Sequence, residues 1–278
     1  MTRLVVRNGE ASRSAKRLPT FLRGLFGRSQ PKQQFAVTVP DVMLQRIGHT
    51  TPSPSDTLHL REEFRMIKRQ VLAHIQSGQG RAGYDPRVIV VLSAHPGEGK
   101  TFVSLNLALS LAIERGQSVT LIDGDVKDGG LSRLFGLGSA SGLTDALDDP
   151  SVDPKEFVET SNIGNFGIMP VGYGSRDAVE LLTGDRMSTL INKLLSESPN
   201  QIIVIDTSSL LSGSAALALA AHAGQMVFVI SSNDSRRSEV EECFGILDAS
   251  IGPIDGSNIG LVLNKISTAH STARYSAT

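Results

Sequence analysis

The sequence predicts an α/β protein with a mostly parallel, doubly wound sheet that carries helices on both faces. Apolar runs of strand length alternate with segments of helical periodicity over most of the chain. The runs at residues 87–92, 118–123 and 201–206 are continuously apolar, as expected of parallel strands buried on both faces. Each run is followed by a glycine-rich loop or ends on a carboxylate, and ligands of such sheets bind beyond the carboxyl ends of the strands.

Each element has its own signal. Leu60, Phe64, Ile67, Val71 and Ile75 recur at helical spacing and predict a helix over residues 56–75. The other predicted helices cover residues 102–114, 131–135, 185–195 and 214–222. The predicted strands cover residues 87–92, 118–123, 166–170, 201–206, 225–230 and 258–263. Residues 78–85 are predicted as a glycine-rich link, and residues 139–150 as a loop that contains a Gly-Leu-Thr-Asp-Ala-Leu turn.

A phosphate-binding loop occupies residues 93–101, between the first strand and a helix that begins near Lys100. It follows the pattern G-x-x-x-x-G-K-[ST], except that Ala94 replaces the first glycine. Glycines let backbone N–H groups surround a polyphosphate, Lys100 reaches the β and γ phosphates, and Thr101 ligates Mg²⁺. The alternative is a glycine-rich turn with a chance Lys-Thr pair. The residues expected to contact the nucleotide are Ser93, Pro96, Gly97, Glu98, Gly99, Lys100, Thr101 and Phe102.

Three carboxylates end the strands that follow. Asp206 ends an apolar strand and is typical of a Walker B carboxylate, which holds Mg²⁺ through water. Asp123 and Asp125 end another strand and are expected to share metal contact and general-base catalysis. We therefore expect Thr101, Asp123 and Asp206 at the metal, and Lys100, Asp123 and Asp125 as catalytic residues. The alternative for the aspartate pair is a capped, solvated turn.

Charge and composition divide the chain. Residues 1–34 hold eight basic residues and one acidic residue, whereas the net charge of the whole chain is −1. We predict a poorly ordered basic arm over residues 1–55, and its charge favours a membrane surface or nucleic acid as partner. Residues 18–28 suit either a short amphipathic helix on a membrane or a plain tail. A single cysteine and no apolar run of 18 residues indicate a cytoplasmic protein.

Together these motifs resemble the bacterial tyrosine kinases of exopolysaccharide loci, most closely the soluble autokinases found beside exosortase systems. This family belongs to the deviant-Walker group of P-loop NTPases, which includes the partition ATPases. The resemblance covers residues 60–266, with residues 56–267 as the kinase domain. Its motifs are matched by residues 93–101, 121–125 and 202–206, and its Glu-x-x-Arg-x-x-Arg oligomerisation helix by Glu62, Arg65 and Lys68. Glu180-Leu181-Leu182 and Asn264-Lys265 also fit, with Asn264 on the adenine side.

The resemblance implies a Mg²⁺- and ATP-dependent tyrosine autokinase that regulates exopolysaccharide synthesis, export and chain length. It implies a homo-oligomer and a membrane-bound chain-length regulator as activator in trans. For the basic arm we expect peripheral contact with anionic membrane and no nucleic acid partner. The tail, residues 268–278, carries Tyr275 as the expected phosphoacceptor, with Tyr84 and Tyr173 as competitors.

Several positions depart from the family pattern. They are His95 in the place of the signature lysine of partition ATPases, Asp128-Gly129 for Arg-Pro, Ser208-Ser209 for Pro-Pro, and Ala215 for an acidic residue. His95 counts against a partition-type ATPase, which is the first rival function. The changed loops at Asp128-Gly129 and Ser208-Ser209 are also compatible with the second rival function, a nucleotide-binding regulator with weak catalysis.

Overall fold

The computed structural model describes residues 54–163, 165–173 and 178–266, with side chains from residue 62 onward. Eight helices fall within these residues: α1 (Pro54–Ser77), α2 (Lys100–Ala112), α3 (Gly130–Leu134), α4 (Leu143–Asp148), α5 (Ala178–Thr183), α6 (Asp185–Ser196), α7 (Ala215–Ala220) and α8 (Arg237–Ile251). Short 3₁₀ helices lie at Pro154–Phe157 and Leu210–Ser212. The strands are β1 (Val88–Ser93), β2 (Ser118–Asp123), β3 (Glu159–Thr160), β4 (Phe166–Met169), β5 (Gln201–Asp206), β6 (Gln225–Ser231) and β7 (Ile259–Asn264).

The seven strands form one sheet in the order β3-β4-β2-β5-β1-β6-β7. All neighbouring strands are parallel except the two-residue β3, which runs antiparallel to β4. The consecutive strands β1 and β2 are separated by β5, which is the central strand, and β1 lies next to it. The predicted fold class is confirmed.

Successive side chains of the central strands enter two separate cores. Val90 and Leu92 of β1 pack with helices α4 to α8 on one face. Ile89 and Val91 pack with α1, α2 and α3 on the other face. All six residues of β1 are buried, which explains why its sequence is continuously apolar and not alternating.

Most predicted elements agree with the structure to within two residues, one loop prediction needs correction, and some elements were not predicted. Residues 139–150 are not simply a loop, because they contain α4, whose Leu143 and Leu147 are buried in the core. Helices α5 and α8 were not predicted. Helix α8 has a clear signal that the prediction overlooked, because Val240, Cys243, Phe244, Leu247 and Ile251 recur at helical spacing and pack on one core.

The N-terminal helix starts at Pro54, so the last two residues of the predicted arm belong to α1. The rest of the arm and the tail from residue 267 lie outside the described residues. Among the helices that are described, none is both long and apolar enough to cross a bilayer.

Candidate nucleotide and metal site

The phosphate-binding loop connects β1 to α2 at the centre of the sheet. Gly97 and Gly99 have φ angles of +80° and +103°, in the left-handed region that glycine adopts without strain. Gly99 is the N-cap of α2 and no side chain caps this helix, so its first N–H groups are available to an anion. The loop therefore has the backbone geometry that its sequence predicts for phosphate binding.

Lys100 begins α2 but its side chain folds back along the loop. Its Nζ donates to Ser93 Oγ at 2.9 Å and to the His95 carbonyl at 3.3 Å. The side chain is only 7% exposed, and burial lowers the pKa of its ammonium group, an effect that the nearby Asp206, Glu98 and Asp125 partly oppose. A lysine held in this way presents a desolvated cation beside the helix N-terminus, where a phosphate is stabilised most strongly.

Asp123 and Asp206 end the neighbouring strands β2 and β5, and their Cα atoms are paired in register. Both side chains are buried. Burial raises the pKa of Asp206 to about 7, and the charge of Asp123 adds to the shift, against hydrogen bonds from Thr101 and Ser104. Burial likewise raises the pKa of Asp123. Two adjacent buried carboxylates are costly without a cation, so this pair has the chemistry of a Mg²⁺ site.

The donors around these carboxylates differ. Asp206 Oδ1 accepts the Ser104 hydroxyl at 2.8 Å. Asp123 Oδ2 accepts both the N–H and the hydroxyl of Ser132, at 2.7 and 2.6 Å, and its Oδ1 accepts the Asp125 N–H at 3.1 Å. The carboxylate of Asp123 is thus fixed on both oxygens, whereas Asp125 is only half-buried and accepts the Asp128 N–H at 3.3 Å.

Gly124, between the two aspartates, allows β2 and β5 to approach. A Cβ atom there would lie 2.7 Å from the Asp206 carbonyl and 2.5 Å from Leu219 Cδ1. The glycine in the Asp-Gly-Asp sequence is therefore a packing requirement, which the motif alone did not reveal.

Among the described residues, no three His, Cys, Asp or Glu side chains are grouped closely enough to hold a metal by themselves. A Mg²⁺ ion bound beside a nucleotide needs no such group, because it uses one or two protein carboxylates plus phosphates and water. Thr101, Asp123 and Asp206 are the residues that could contribute to such a site.

Two residues that were expected to contact the nucleotide, Glu98 and Asn264, use their side chains for hydrogen bonds within the protein. Glu98 is 1% exposed, and its carboxylate accepts the His95 N–H at 2.7 Å. Asn264, at the end of β7, donates from Nδ2 to the Glu98 carbonyl at 2.9 Å. Ser93 and Phe102 lie at the two ends of the loop, and Pro96 and Gly97 are exposed at its tip. Tyr275 lies outside the described residues.

Sequence reasoning missed three serines, Ser104, Ser132 and Ser235, that hold the carboxylates of this site. Ser104 and Ser132 bind the strand-end aspartates, and Ser235 donates to Glu98. They are separated from their partners by between 9 and 137 positions in the sequence. No local pattern marks them, because a buried serine is common in helices and turns.

The ParA family profile, described as "NUBPL iron-transfer P-loop NTPase", matches residues 86–226, which is about half of the chain. CapB of Staphylococcus aureus, whose name assigns it to the tyrosine-protein kinases, is 25% identical over 216 residues, 78% of this chain and 89% of CapB. The tyrosine-protein kinase Wzc of Salmonella typhimurium is 29% identical over 182 residues, 64% of this chain. The match spans only 24% of Wzc, so the chain corresponds to a minor part of that longer relative.

Solved structures give the same result. The kinase domain of VpsO is 30% identical, with a TM-score of 0.61, and the match covers 77% of this chain and all of that domain. The kinase domain of the Escherichia coli tyrosine kinase Etk shares the fold, with a TM-score of 0.64 and 91% of both chains covered at 23% identity. The chain therefore belongs to the bacterial tyrosine kinases, within the ParA-like P-loop NTPases.

Proposed function

We propose that this protein is an ATP- and Mg²⁺-dependent protein-tyrosine autokinase that serves exopolysaccharide assembly on the cytoplasmic side of the membrane. The observation that carries the proposal is the position of Lys100, at the uncapped start of α2 and electrostatically coupled to Asp206 and Asp125. A nucleotide on the loop would place its terminal phosphate between that ammonium group and the carboxylates.

Each residue has a distinct role in the proposed transfer. Lys100 would stabilise the charge on the phosphoryl group, and the N–H groups at the start of α2 would hold the neighbouring phosphates. Thr101, Asp123 and Asp206 would hold Mg²⁺, which when bound neutralises charge on the phosphates. Asp123, which is held on both oxygens, would also act as base on an incoming tyrosine hydroxyl, or would share that role with the more exposed Asp125.

A partition-type ATPase is the main rival, because the phosphate loop and the strand-end aspartates also fit the deviant-Walker group to which such ATPases belong. In this protein His95 occupies the position of the signature lysine, and its Nε2 lies 3.3 Å from Glu239 Oε2 of α8. This contact holds the His95 side chain against Glu239 of the same subunit, which favours the kinase over the partition-type ATPase. ATP hydrolysis without any phosphotyrosine would favour the ATPase, and ATP binding without either reaction would favour the regulator.

The proposed partners follow from the charge of the arm and from α1. Glu62 and Arg65 form an ion pair at 2.7 Å and remain 60% exposed, so they are available to a second subunit. Lys68, the third member of the predicted motif, instead binds Glu114 at the end of α2, also at 2.7 Å. We propose that a membrane-bound chain-length regulator activates the kinase in trans.

The central test is Lys100→Ala. We expect ATP affinity to fall about ten- to a hundredfold, because a hydrogen bond to a charged group is worth roughly 1.5–3 kcal/mol. Isothermal titration with Mg²⁺-ATP measures the affinity, and circular dichroism checks the fold. Lys155→Ala, which removes an exposed lysine paired with Asp153 and Glu197, is the matched control. Equal ATP affinity in Lys100→Ala and the wild type would contradict the proposed site.

The arm provides a second test. Each basic residue near an anionic leaflet contributes about 1 kcal/mol, and the field decays within a Debye length. Deletion of residues 1–34 should therefore reduce sedimentation with anionic vesicles, most clearly at low salt. Equal sedimentation of the full and shortened chains would show that the arm does not bind membrane.

A further inference from the structure

Glu98 is a buried acid inside the phosphate-binding loop. Carboxylates are almost never fully buried unless their oxygens are satisfied. Glu98 meets this condition with partners from three parts of the chain: Oε2 accepts the His95 N–H at 2.7 Å, Oε1 accepts the hydroxyl of Ser235, and its backbone carbonyl accepts Asn264 Nδ2. The side chain therefore points into the protein.

Ser235 lies in the turn between β6 and α8 and is itself held in place. Its Oγ accepts the N–H of Ser231, the last residue of β6, at 2.8 Å, and its own N–H donates to the Ser231 carbonyl at 3.1 Å. Because the oxygen already accepts a hydrogen bond from Ser231, its single proton is directed to Glu98. A turn outside every nucleotide-binding motif thus supplies a fixed donor to the phosphate loop.

The contacts continue from Glu98 to the lysine. Glu98 holds the N–H of His95, and the carbonyl of the same residue accepts Ser93 Oγ at 2.9 Å and Lys100 Nζ at 3.3 Å. The backbone of His95 is therefore held on both sides. Since this carbonyl is one of the two atoms that fix the Lys100 ammonium group, a shift of Glu98 would reach the lysine through one residue.

We propose that Glu98 and Ser235 are a positioning pair, which fixes the phosphate loop and Lys100 from the β6–α8 turn. Both side chains would act through the backbone of His95 and not by direct contact with the nucleotide. The proposal rests on the proposed nucleotide-binding function and adds to it a residue, Ser235, that lies 135 positions beyond Lys100 in the sequence.

The experiment compares Ser235→Ala with two matched variants. Ser235→Thr keeps the hydroxyl, and Ser238→Ala removes an exposed serine from the first turn of α8. Mg²⁺-ATP titration gives the Kd, and amide hydrogen exchange on the nucleotide-free protein reports on residues 93–101. For Ser235→Ala we expect an ATP Kd about three- to tenfold higher and faster exchange confined to the loop. Ser235→Thr and Ser238→Ala should resemble the wild type.

A double-mutant cycle tests whether the two residues act together. Glu98→Gln replaces the charge by an isosteric amide, and Ser235→Ala removes the donor. If they form one pair, the double variant should lose no more ATP affinity than the weaker-binding single variant. Additive losses would overturn the pairing.

Three further outcomes would overturn the proposal. One is a Ser235→Ala protein with wild-type Kd and wild-type loop exchange. Another is faster exchange throughout β1 and β5 with a lower melting temperature, which would show a role in general stability only. The third is an Ser235→Thr variant that fails to restore the Kd. The Lys100→Ala titration stands apart from these results: if it abolishes ATP binding while Ser235→Ala has no effect, the proposed function holds and the positioning pair does not.

Discussion

Asp206 and Asp123 end two neighbouring parallel strands, and the register of β2 with β5 places them side by side. Burial is the largest cause of the raised pKa of both residues. The sequence shows that two strands end on aspartate, but it does not show that the two carboxylates are adjacent, because the strand order decides whether they meet. Here β5 pairs with β2 although 77 residues of chain separate the two strands.

The raised pKa of Asp206 predicts a pH dependence of stability. Its pKa is about 7 in the folded protein against an ordinary value of 3.8, so between these values the folded state keeps a proton that the unfolded state loses. Its contribution to the free energy of unfolding is therefore complete below about pH 4 and falls as the pH rises to about 7. Asp206→Asn has no carboxyl group at this position, so this loss of stability with rising pH should be absent.

Thermal melts of the metal-free protein in EDTA, from pH 5 to pH 8, measure this effect. The melting temperature of Asp206→Asn should rise relative to that of the wild type as the pH increases, since an amide oxygen still accepts the Ser104 hydroxyl. Asp148→Asn, at an exposed position, is the control. A constant difference between Asp206→Asn and the wild type over this range would show that the carboxyl group does not titrate there.

At the scale of elements, two glycines of the phosphate loop are required for different reasons. Gly97 and Gly99 both have positive φ angles, but only Gly99 also lies against another side chain. A Cβ atom at Gly99 would be 2.1 Å from Asn264 Nδ2, whereas one at Gly97 would meet no atom within 4 Å. The motif contains both glycines, and the contact with β7 distinguishes them.

This contrast predicts different costs for two alanine substitutions. Gly97→Ala should lower the free energy of unfolding by about 1–2 kcal/mol through backbone strain alone. Gly99→Ala should lower it further, because the methyl group collides with Asn264 and displaces it from the Glu98 carbonyl. Urea denaturation measures both, and Asn264→Ala in the Gly99→Ala background should recover part of the loss. Equal costs for the two single variants would exclude the collision.

Helices α4, α5 and α8 were not predicted from the sequence, and α4 shows one physical reason. The six residues of α4 follow the N-cap residue Gly142, next to which Pro170 and Gly172 pack closely. Its helix is stabilised by burial of Leu143 and Leu147 against the sheet and not by local propensity. The 24-residue α1 has strong helical periodicity and β5 is continuously apolar, and both were predicted within two residues.

At the scale of the whole molecule, the position of β7 relative to the site bears on the proposed autophosphorylation. Asn264 ends β7 and donates to the Glu98 carbonyl of the phosphate loop, so β7 ends beside the candidate nucleotide site. Tyr275 follows Ile266 by nine positions in the sequence. We predict that Tyr275 is the main phosphoacceptor and that it enters the site of a neighbouring subunit, because entry into its own site would need a tight reversal.

Mixing two variants tests this prediction. An inactive Lys100→Ala protein with an intact tail is incubated with an active Tyr275→Phe protein and Mg²⁺-ATP, and phosphopeptides are identified by mass spectrometry. Phosphate on Tyr275 of the inactive protein would demonstrate transfer between subunits. The competing acceptors are Tyr84, whose ring lies 3.5 Å from the Arg81 guanidinium, and Tyr173, which is 67% exposed. Label found only on these two tyrosines would refute the assignment to Tyr275.

The sequence by itself determined the sheet, its parallel direction and the phosphate loop. These features depend on local physics: buried parallel strands are continuously apolar, and a polyphosphate needs glycines followed by a lysine at a helix start. For the same reason Lys100, Asp123 and Asp206 could be named as site residues before their positions were known.

Tertiary structure alone decided how these residues are arranged. It set Asp206 opposite Asp123, raised the pKa of both by burial, and brought Ser132 and Ser235 to their acidic partners. It also turned Glu98 inward, although the motif places it among the nucleotide contacts. Each of these features either joins residues that are distant in the sequence or depends on desolvation. Distant contacts and desolvation both follow from the packing of the entire sheet and its helices.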